Sequence, residues 1–434
     1  MNAVKPIERS GRERAGRERT VALLDVGTSK VAAMIVMTGG SEGGVDPRVI
    51  GVGQRSCDGL RRGLVADMEK TEGAIRAAMD QAERNAGVQV EDVYVNLSAG
   101  SLRSAVENVE IDIAGHKVNT ADMTTLLAAG RARIDPGNRT VLHAQPALYT
   151  IDGLTGVANP IGFHADRLGM DIHIVTAERP PILNLDLVVR SAHLGVRAIV
   201  ASPAASSLAV LAREERELCV ALVEIGAGLT TIAVHAGGQL VGVASVPMGA
   251  SDITTDIASN FATRRVHAER LKTLHGAAIT TQKDNHDVIE VPPISDDDSA
   301  EPVRVPKAQL IAVIRHRLDL LFGEVAKQLI ALDFAGPQAR QVVLTGGGAE
   351  LKAIADFAQG VLGKNVRLGR PRGLTGVPDA QSGCAFATLT GLALFAAADV
   401  PDLWNMPGPD RRGTPAVNAT GWWRNTVDKL KSSL

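Results

Sequence analysis

Two segments, residues 23–31 and 222–231, share an order of residue types that suits phosphate binding. Each is an apolar strand that ends in a carboxylate, Asp25 or Glu224, followed by a glycine turn and a second apolar strand. Glycine in a tight turn lets backbone N–H groups approach phosphate oxygens, because no Cβ stands in the way. One such hairpin would be weak evidence, but the pair predicts a nucleotide phosphate chain clamped between two hairpins.

Side chains around the two turns could add specific contacts. Thr28 and Ser29 supply hydroxyl donors, and Lys30 supplies positive charge. Asp25 could hold Mg²⁺ through water, since Mg²⁺ keeps most of its hydration shell, and Glu224 is the matching carboxylate. The other turn residues predicted to contact a nucleotide are Gly27, Gly226, Ala227, Gly228 and Thr230.

A third glycine site follows a predicted strand at residues 341–345. Gly346, Gly347 and Gly348 are expected to open a helix, and a helix N-terminus carries about half a positive charge and free N–H groups. The nucleoside and its α-phosphate could lie flat against this backbone. The alternative is a glycine turn that is needed only for packing.

The order of predicted elements indicates an α/β protein. Strand-rich hairpins that lead into helices occur twice, which suggests an internal duplication: two lobes with a cleft between them. Residues 98–175 differ, because short strand-like runs surround one helical segment, and they are interpreted as an inserted α+β subdomain. Single helices are predicted at residues 203–216 and 307–332.

Composition limits the classes of function. The 434 residues suffice for several domains, and 45% hydrophobic with 22% charged residues is ordinary for a globular protein. A net charge of −2 gives no global field that favours nucleic acid. Three widely spaced cysteines imply no disulfide or metal framework. Residues 1–19 lack an apolar core and are interpreted as a disordered, non-cleaved tail.

The last residues have the pattern of an interfacial membrane helix. Residues 399–420 are rich in Pro, Gly and Asn and are interpreted as a flexible linker to an amphipathic helix at 421–434. Its apolar face would consist of Trp423, Val427, Leu430 and Leu434, with Trp422 at the edge and Arg424, Lys429 and Lys431 beside it. Aromatic anchors with flanking basic residues favour binding to anionic lipid. The alternatives are a helix that docks on a protein partner and a terminal helix that packs on the rest of the chain.

These motifs resemble a known superfamily. Residues 25–30, 224–231 and 344–350 resemble the phosphate-1, phosphate-2 and adenosine motifs of the actin-like ATPases. Within that superfamily the chain resembles the FtsA family of bacterial cell-division proteins. The matching stretches are residues 59–65, 202–208, 274–278 and 366–371, and the resemblance extends over about residues 20–397 and the final helix.

The resemblance implies a duplicated, ribonuclease H-like, two-lobed actin fold that binds ATP and Mg²⁺. Residues 20–97 and 176–215 would form the first lobe (1A), residues 98–175 a 1C-type subdomain, and residues 216–398 the second lobe (2A/2B). Glu269 and Lys272 lie in a segment that resembles the ribose- and adenine-contacting part of the superfamily. A surface ion pair between these two residues is the alternative.

Three positions depart from the family pattern. The family usually has Asp where Glu224 stands, a glycine at Ala227 and a hydroxyl residue at Leu229. Leu229 cannot donate to phosphate, and a hydrogen bond to a charged group is worth about 1.5–3 kcal/mol. We therefore expect nucleotide binding to persist, at unchanged or reduced affinity, together with weak or absent ATPase activity, and the sequence identifies no catalytic base.

By resemblance, the chain would tether FtsZ filaments to the cytoplasmic face of the inner membrane at the division site. It would also recruit later divisome proteins and self-associate into oligomers or filaments. The FtsZ C-terminal tail would dock near residues 307–332, where Arg315 and Arg317 could pair with acidic residues; ordinary solvated charge is the alternative. Two other functions stay open: a small-molecule kinase of the same superfold, and a pilus-assembly adaptor.

Overall fold

Two five-stranded sheets with equivalent strand orders form the frame of the molecule. The computed structural model describes residues 19–39, 46–157, 159–294, 301–398 and 403. The predicted helix at 421–434 lies outside the described residues, as do residues 1–18 of the predicted tail. Among the helices that are described, none combines the length and the apolar character needed to cross a membrane.

The first lobe begins with a three-stranded antiparallel hairpin system and a helix. Asp67 caps this helix by accepting a hydrogen bond from the Lys70 backbone, and Gly87 ends it with a φ of 69°. The apolar side chains of Ile75 and Met79 face the sheet and are buried. The elements are β1 (Arg19–Val26), β2 (Lys30–Thr38), β3 (Arg48–Ser56), β4 (Leu60–Arg61), β5 (Leu64–Val65), α1 (Met68–Ala86) and β6 (Asp92–Leu97).

The inserted subdomain follows β6. Its elements are β7 (Arg103–Asp112), α2 (Thr120–Arg133), β8 (Arg139–Ile151), β9 (Leu154–Val157) and β10 (Arg167–Glu178). The strands form one antiparallel sheet in the order β7-β10-β8-β9, and α2 packs against β7 and β10. Leu126, Leu168 and Met170 lie in its separate hydrophobic core. The predicted α+β insertion is therefore confirmed.

The chain then returns to the first lobe and crosses to the second. The elements are α3 (Arg179–Ser191), β11 (Gly195–Ala201), α4 (Ser202–Val210) and α5 (Arg213–Leu218). The prediction of one helix over residues 203–216 was wrong. Leu211 and Ala212 have extended backbone between α4 and α5, and the Leu211 side chain is buried in the core under the second sheet.

The second lobe repeats the hairpin system of the first. Helix α8 supplies much of the lobe's core, with Leu318, Phe322 and Val325 fully buried or nearly so. The elements are β12 (Val220–Ile225), β13 (Thr230–Ala236), β14 (Gln239–Val246), α6 (Ala250–Asn260), α7 (Arg265–His275), β15 (Val288–Val291), β16 (Val303–Pro306), α8 (Lys307–Ala331), β17 (Gln341–Thr345), α9 (Ile354–Leu362), β18 (Asn365–Leu368) and α10 (Ala387–Ala398).

The two sheets have the same topology. The first runs β3-β2-β1-β6-β11 and the second β14-β13-β12-β17-β18. In both, three antiparallel strands are followed by two parallel ones. The β1–β2 and β12–β13 hairpins are therefore equivalent, and the predicted duplicated, two-lobed α/β fold is confirmed.

Leu403 departs from the prediction of a flexible linker at residues 399–420. Its backbone N–H donates to the carbonyl oxygen of Ala144 at 2.8 Å. Its side chain is only 1% exposed and lies in the core of the inserted subdomain. Burial of an apolar side chain and the hydrogen bond to β8 explain why this position is held.

Candidate functional site

The turns of the two equivalent hairpins have matching geometry and meet in the cleft. The Gly27 N–H donates to the Lys30 carbonyl at 3.0 Å, and the Gly226 N–H donates to the Leu229 carbonyl at 2.9 Å. A Cβ added to Gly228 would lie 2.9 Å from Thr28 Oγ1. The structure thus brings the two predicted phosphate turns face to face.

Asp25 is held at the base of the cleft by a polar network. Asn96 Nδ2 donates to Asp25 Oδ1 at 2.7 Å and to Ser202 Oγ at 3.1 Å. Asn96 Oδ1 accepts from the Val26 N–H at 2.7 Å, which fixes the amide orientation. Burial raises the pKa of Asp25 to about 7, an effect that the nearby charge of Glu224 increases and that of Lys30 opposes.

Glu224 is the counterpart of Asp25 in the second lobe. Its Oε2 accepts from the Ser206 and Thr231 hydroxyls, both at 3.2 Å, and its Oε1 accepts from the Thr388 hydroxyl. Burial raises the pKa of Glu224 above its ordinary value, although these hydroxyls favour the ionised form. Two carboxylates thus converge in a site that is short of positive charge.

Lys30 supplies part of that charge. Its Nζ lies 3.6 Å from the ring centroid of Phe386, so the ammonium group makes a cation–π contact. Burial lowers the pKa of Lys30, whereas the nearby carboxylates of Asp25 and Glu350 raise it. Glu350 belongs to the second lobe, so the electrostatic surroundings of Lys30 come from both sides of the cleft.

The helix expected at the glycine triplet begins there but is only one 3-10 turn long, so the prediction holds for its start and not for an α-helix. Gly347–Glu350 form a single 3-10 turn, and α9 begins only at Ile354 because Ala353 has left-handed backbone. Gly346 has a φ of 82°, and a Cβ added there would lie 2.6 Å from the Ile225 carbonyl oxygen.

Packing therefore explains two of the three glycines. Gly348 is also pressed against the Ile225 side chain, so both it and Gly346 fit closely under the strand that carries Glu224. Gly347 is exposed, and a Cβ there would make only an ordinary contact, 3.6 Å from the Ala385 Cβ. Gly347 leaves backbone open at this edge of the cleft, as a nucleoside contact would require.

Glu269 and Lys272 form the ion pair considered above, with 2.8 Å between Glu269 Oε2 and Lys272 Nζ. Lys272 Nζ also donates to Thr254 Oγ1 at 2.9 Å and to the Ala250 carbonyl at 3.1 Å. The Ala250 N–H in turn donates to the Gly226 carbonyl at 2.9 Å. Lys272 is thus connected to the backbone that supports the second phosphate turn, and its nucleotide contact stays a prediction.

Three turn residues have backbone or hydroxyl groups that already serve the fold. Thr230 is fully buried, and its hydroxyl donates to the Met248 carbonyl at 2.9 Å. The Ala227 carbonyl accepts from the Ser251 N–H at 2.8 Å. Ser29 is exposed, and its carbonyl accepts from the Cys57 N–H at 3.1 Å. A phosphate could contact the other backbone and side-chain groups of these three residues.

The two arginines of α8 differ. Arg317 makes a bidentate ion pair with Asp256 at 2.6 and 2.7 Å, which ties α8 to α6. Arg315 is exposed, and its guanidinium carbon lies 5.9 Å from the Phe357 ring centroid. Only Arg315 is placed to meet an acidic peptide without breaking a close internal ion pair.

Sequence reasoning assigned no role to several residues that hold the two carboxylates. Residues 202–208 resemble the family, and this resemblance is a usable signal for two of the serines. Thr231 lies within the second phosphate motif, whereas Asn96 and Thr388 carry no local motif. The full set is Asn96, Ser202, Ser206, Thr231 and Thr388.

A tightly bound metal centre is not what this site resembles. In the described ranges, no three His, Cys, Asp or Glu side chains are grouped so that they could hold a metal ion. Mg²⁺ held through water by Asp25 and Glu224 remains compatible, since Mg²⁺ is usually bound by one or two carboxylates together with water and substrate phosphates.

The family models and the relatives found by comparison with known proteins agree with one another. Residues 221–391 match the family model described as cell division protein FtsA, and residues 99–176 match the SHS2 domain inserted in FtsA. Cell division protein FtsA of Rhizobium meliloti (strain 1021) is 39% identical over 386 residues, which cover 87% of each chain. That of Agrobacterium fabrum is 36% identical over 418 residues, 94% of each chain. That of Escherichia coli (strain K12) is 31% identical over 87% of this chain and 90% of the relative.

Solved structures share the fold at lower identity. The PilM–PilN type IV pilus biogenesis complex matches with a TM-score of 0.60 and 18% identity, over 87% of this chain and 98% of that one. MreB5 of Spiroplasma citri bound to ADP matches with a TM-score of 0.50 and 14% identity, over 88% and 97%. At these identities the likeness shows the actin-like fold alone.

Proposed function

This chain belongs to the FtsA family of cell-division proteins, and we propose that it is an ATP-binding, actin-like scaffold that tethers FtsZ filaments to the cytoplasmic face of the inner membrane. It would act at the division site, self-associate and help to recruit later divisome proteins. The observation that carries the nucleotide part is the meeting of two equivalent glycine turns above Asp25 and Glu224.

The residues of the cleft fit ATP with Mg²⁺. The two turns are too tight for side chains, since a Cβ at Gly27 or Gly226 would lie 3.0 or 2.9 Å from a carbonyl of its own turn. Bare backbone of this kind suits phosphate oxygens. Burial raises the pKa of both Asp25 and Glu224, and a hydrated divalent cation beside them would favour their ionised forms.

The departures of the second turn bear on hydrolysis. Leu229 is 5% exposed and contacts the first lobe instead of offering a hydroxyl. Glu224 extends one methylene further than Asp, and three hydroxyls hold its carboxylate in that position. Small displacements of a metal or a water cost orders of magnitude in rate, so binding with weak or absent ATPase activity is the proposed behaviour.

Membrane attachment would come from residues 421–434. A helix of this length extends about 20 Å and gives only reversible lipid binding, whereas several linked copies would bind by avidity. Self-association would therefore strengthen attachment. The FtsZ tail would dock on the second lobe near α8, with Arg315 as the accessible cation.

The two other functions considered have less support. A kinase would need a catalytic Asp and a pocket for its second substrate near the first turn, and no such role is identified for a residue there. A pilus adaptor shares the fold at 18% identity, whereas the FtsA relatives are 31–39% identical. The cell-division scaffold is therefore preferred.

Isothermal titration of the full chain with Mg²⁺ and ATP tests the nucleotide part. We expect saturable binding that is lost when Gly27 and Gly226 are both replaced by valine. Gly323→Val serves as the matched control for folding, because a Cβ at Gly323 would meet no atom within 4 Å. Absence of ATP binding to the wild-type chain would refute this part of the proposal.

Co-sedimentation with liposomes tests the membrane part. The full chain should sediment with vesicles that contain anionic lipid, and a chain lacking residues 421–434 should stay in the supernatant. Trp423→Glu, which keeps the length, should behave like the truncation. Undiminished lipid binding by the truncated chain would exclude the tether.

A further inference from the structure

The β4–β5 hairpin has an unfavourable residue at its tip. Leu60 pairs with Val65 and Arg61 with Leu64, so the loop has two residues, Arg62 and Gly63. Their φ values are 49° and 74°. Two-residue loops with positive φ at both positions favour Asn, Asp or Gly at the first position. The backbone conformation therefore does not explain why an arginine stands at this position. We look for the reason in the contacts of its side chain.

This tip lies between the two phosphate turns. The Gly63 N–H donates to Thr28 Oγ1 of the first turn at 3.2 Å. A Cβ added to Gly228 of the second turn would lie 3.1 Å from the Arg62 Cα. Leu229 packs on Gly63 from the second lobe. The hairpin thus contacts both turns at once.

The guanidinium of Arg62 is held loosely. Its Nη2 lies 3.7 Å from Asp252 Oδ1 of the second lobe, and the two side chains are 57% and 24% exposed. Exposed pairs at such distances contribute little to stability. Asp252 Oδ2 also accepts from the Gly249 N–H at 2.9 Å, so Asp252 keeps a partner if Arg62 leaves.

The second turn lacks a cation of its own. Lys30 closes the first turn, and the equivalent position of the second turn is the apolar Leu229. A phosphate group between the turns would therefore find Lys30 on one side and, near the other, the guanidinium of Arg62. Arginine can bind phosphate through two parallel N–H groups, which gives it directional specificity that lysine lacks.

Resting on the proposed ATP-binding function, we propose that Arg62 distinguishes a nucleoside triphosphate from a diphosphate by exchanging Asp252 for the terminal phosphate. Because the same hairpin packs on Leu229, this contact also favours the closed arrangement of the two lobes. A diphosphate does not reach this position, and Arg62 stays with Asp252.

Arg62→Gly is the decisive variant, because glycine removes the guanidinium and accepts a positive φ. Full-length wild-type and variant chains are titrated calorimetrically with Mg²⁺ and either ATP or ADP. The wild type should prefer ATP, and Arg62→Gly should weaken ATP binding about tenfold to a hundredfold, as expected for hydrogen bonds to a charged group, and leave ADP binding unchanged. Thermal unfolding checks that the variant is folded.

Two matched variants separate this role from others. Arg61→Ala removes the neighbouring arginine and should keep the ATP preference. Asp252→Asn frees Arg62 and should keep or increase that preference. If Arg62 only ties the lobes together, Arg62→Gly and Asp252→Asn will weaken ATP and ADP alike, which overturns the inference.

The wild-type titrations separate this inference from the proposed function. Equal affinity of the wild type for ATP and ADP would also overturn the inference while the proposed function stands. Failure of the wild type to bind either nucleotide would refute both.

Discussion

Lys30 and Leu229 occupy the same position in two equivalent turns, each accepting a backbone hydrogen bond from the glycine three residues earlier. Lys30 places its ammonium group over Phe386 near Asp25 and Glu350. Leu229 is buried and packs on first-lobe backbone at Gly63. One copy of the duplicated turn therefore supplies charge, and the other supplies apolar contact between the lobes.

The packing of Leu229 predicts that Leu229→Ala will destabilise the closed protein. The side chain is 5% exposed, and replacing a buried leucine with alanine costs about 2–5 kcal/mol. Urea unfolding of the nucleotide-free chain should show this loss. Leu154→Ala, at a site that is 67% exposed, should change the free energy of unfolding by less than about 0.5 kcal/mol. Equal effects of the two substitutions would contradict an interlobe role for Leu229.

The glycine triplet gives a matched pair of substitutions. Gly346→Ala places a Cβ 2.6 Å from the Ile225 carbonyl oxygen at a φ of 82°. The substitution therefore causes both a steric clash and a strained backbone. Gly347→Ala has an ordinary 3.6 Å contact. We expect Gly346→Ala to lower the thermal midpoint, because strained backbone and a steric clash together cost more than about 1 kcal/mol of folding free energy. It should also weaken ATP binding, because relief of the clash would displace backbone at this edge of the cleft. Gly347→Ala should leave the thermal midpoint unchanged, and a larger loss there would refute this assignment.

Short-range patterns predicted much of the fold and part of the site. The single helix predicted at residues 307–332 is observed as α8, and the turns at Gly27 and Gly226 follow from strand–glycine–strand order. These features are set by neighbouring residues, so the sequence displays them directly. The prediction of a helix over residues 203–216 failed because burial of Leu211 overrides local helix preference.

The remaining site residues depend on long-range proximity. Asn96 reaches Asp25 across 71 positions of sequence, and Thr388 reaches Glu224 across 164. Each is an ordinary polar residue within a regular element, so no local pattern marks it. Likewise, the position of Arg62 beside the second turn follows only from the packing of one lobe on the other.

His143 predicts acid sensitivity at the junction of the inserted subdomain with the first lobe. Its Nε2 accepts from the Ala201 N–H at 2.9 Å, and its ring lies 5.5 Å from that of Phe395. Burial, with a smaller contribution from the charge of His173, lowers the pKa of His143 from 6.5 to about 4. The folded state therefore binds fewer protons than the unfolded state between these pH values.

Stability from neutral His143 should be present above pH 6.5 and lost as the pH falls towards 4, by about 3 kcal/mol. Urea unfolding at a series of pH values measures this slope. His143→Gln keeps an acceptor for the Ala201 N–H and should flatten the slope, and His316→Gln on the exposed side of α8 is measured beside it as the surface substitution. An unchanged slope in His143→Gln would show that other groups dominate.

The docking of Leu403 predicts a connection between the inserted subdomain and the chain that follows α10. Its side chain is 1% exposed in that subdomain's core, and its N–H donates to Ala144 on β8, beside His143. Leu403→Ala should therefore lower the local stability of β8 by about 2–5 kcal/mol, which hydrogen exchange detects as faster exchange of β8 amides. Leu154→Ala in the same subdomain is the control, since that side chain is exposed. Unaltered β8 exchange in Leu403→Ala would mean that this contact does not secure the segment.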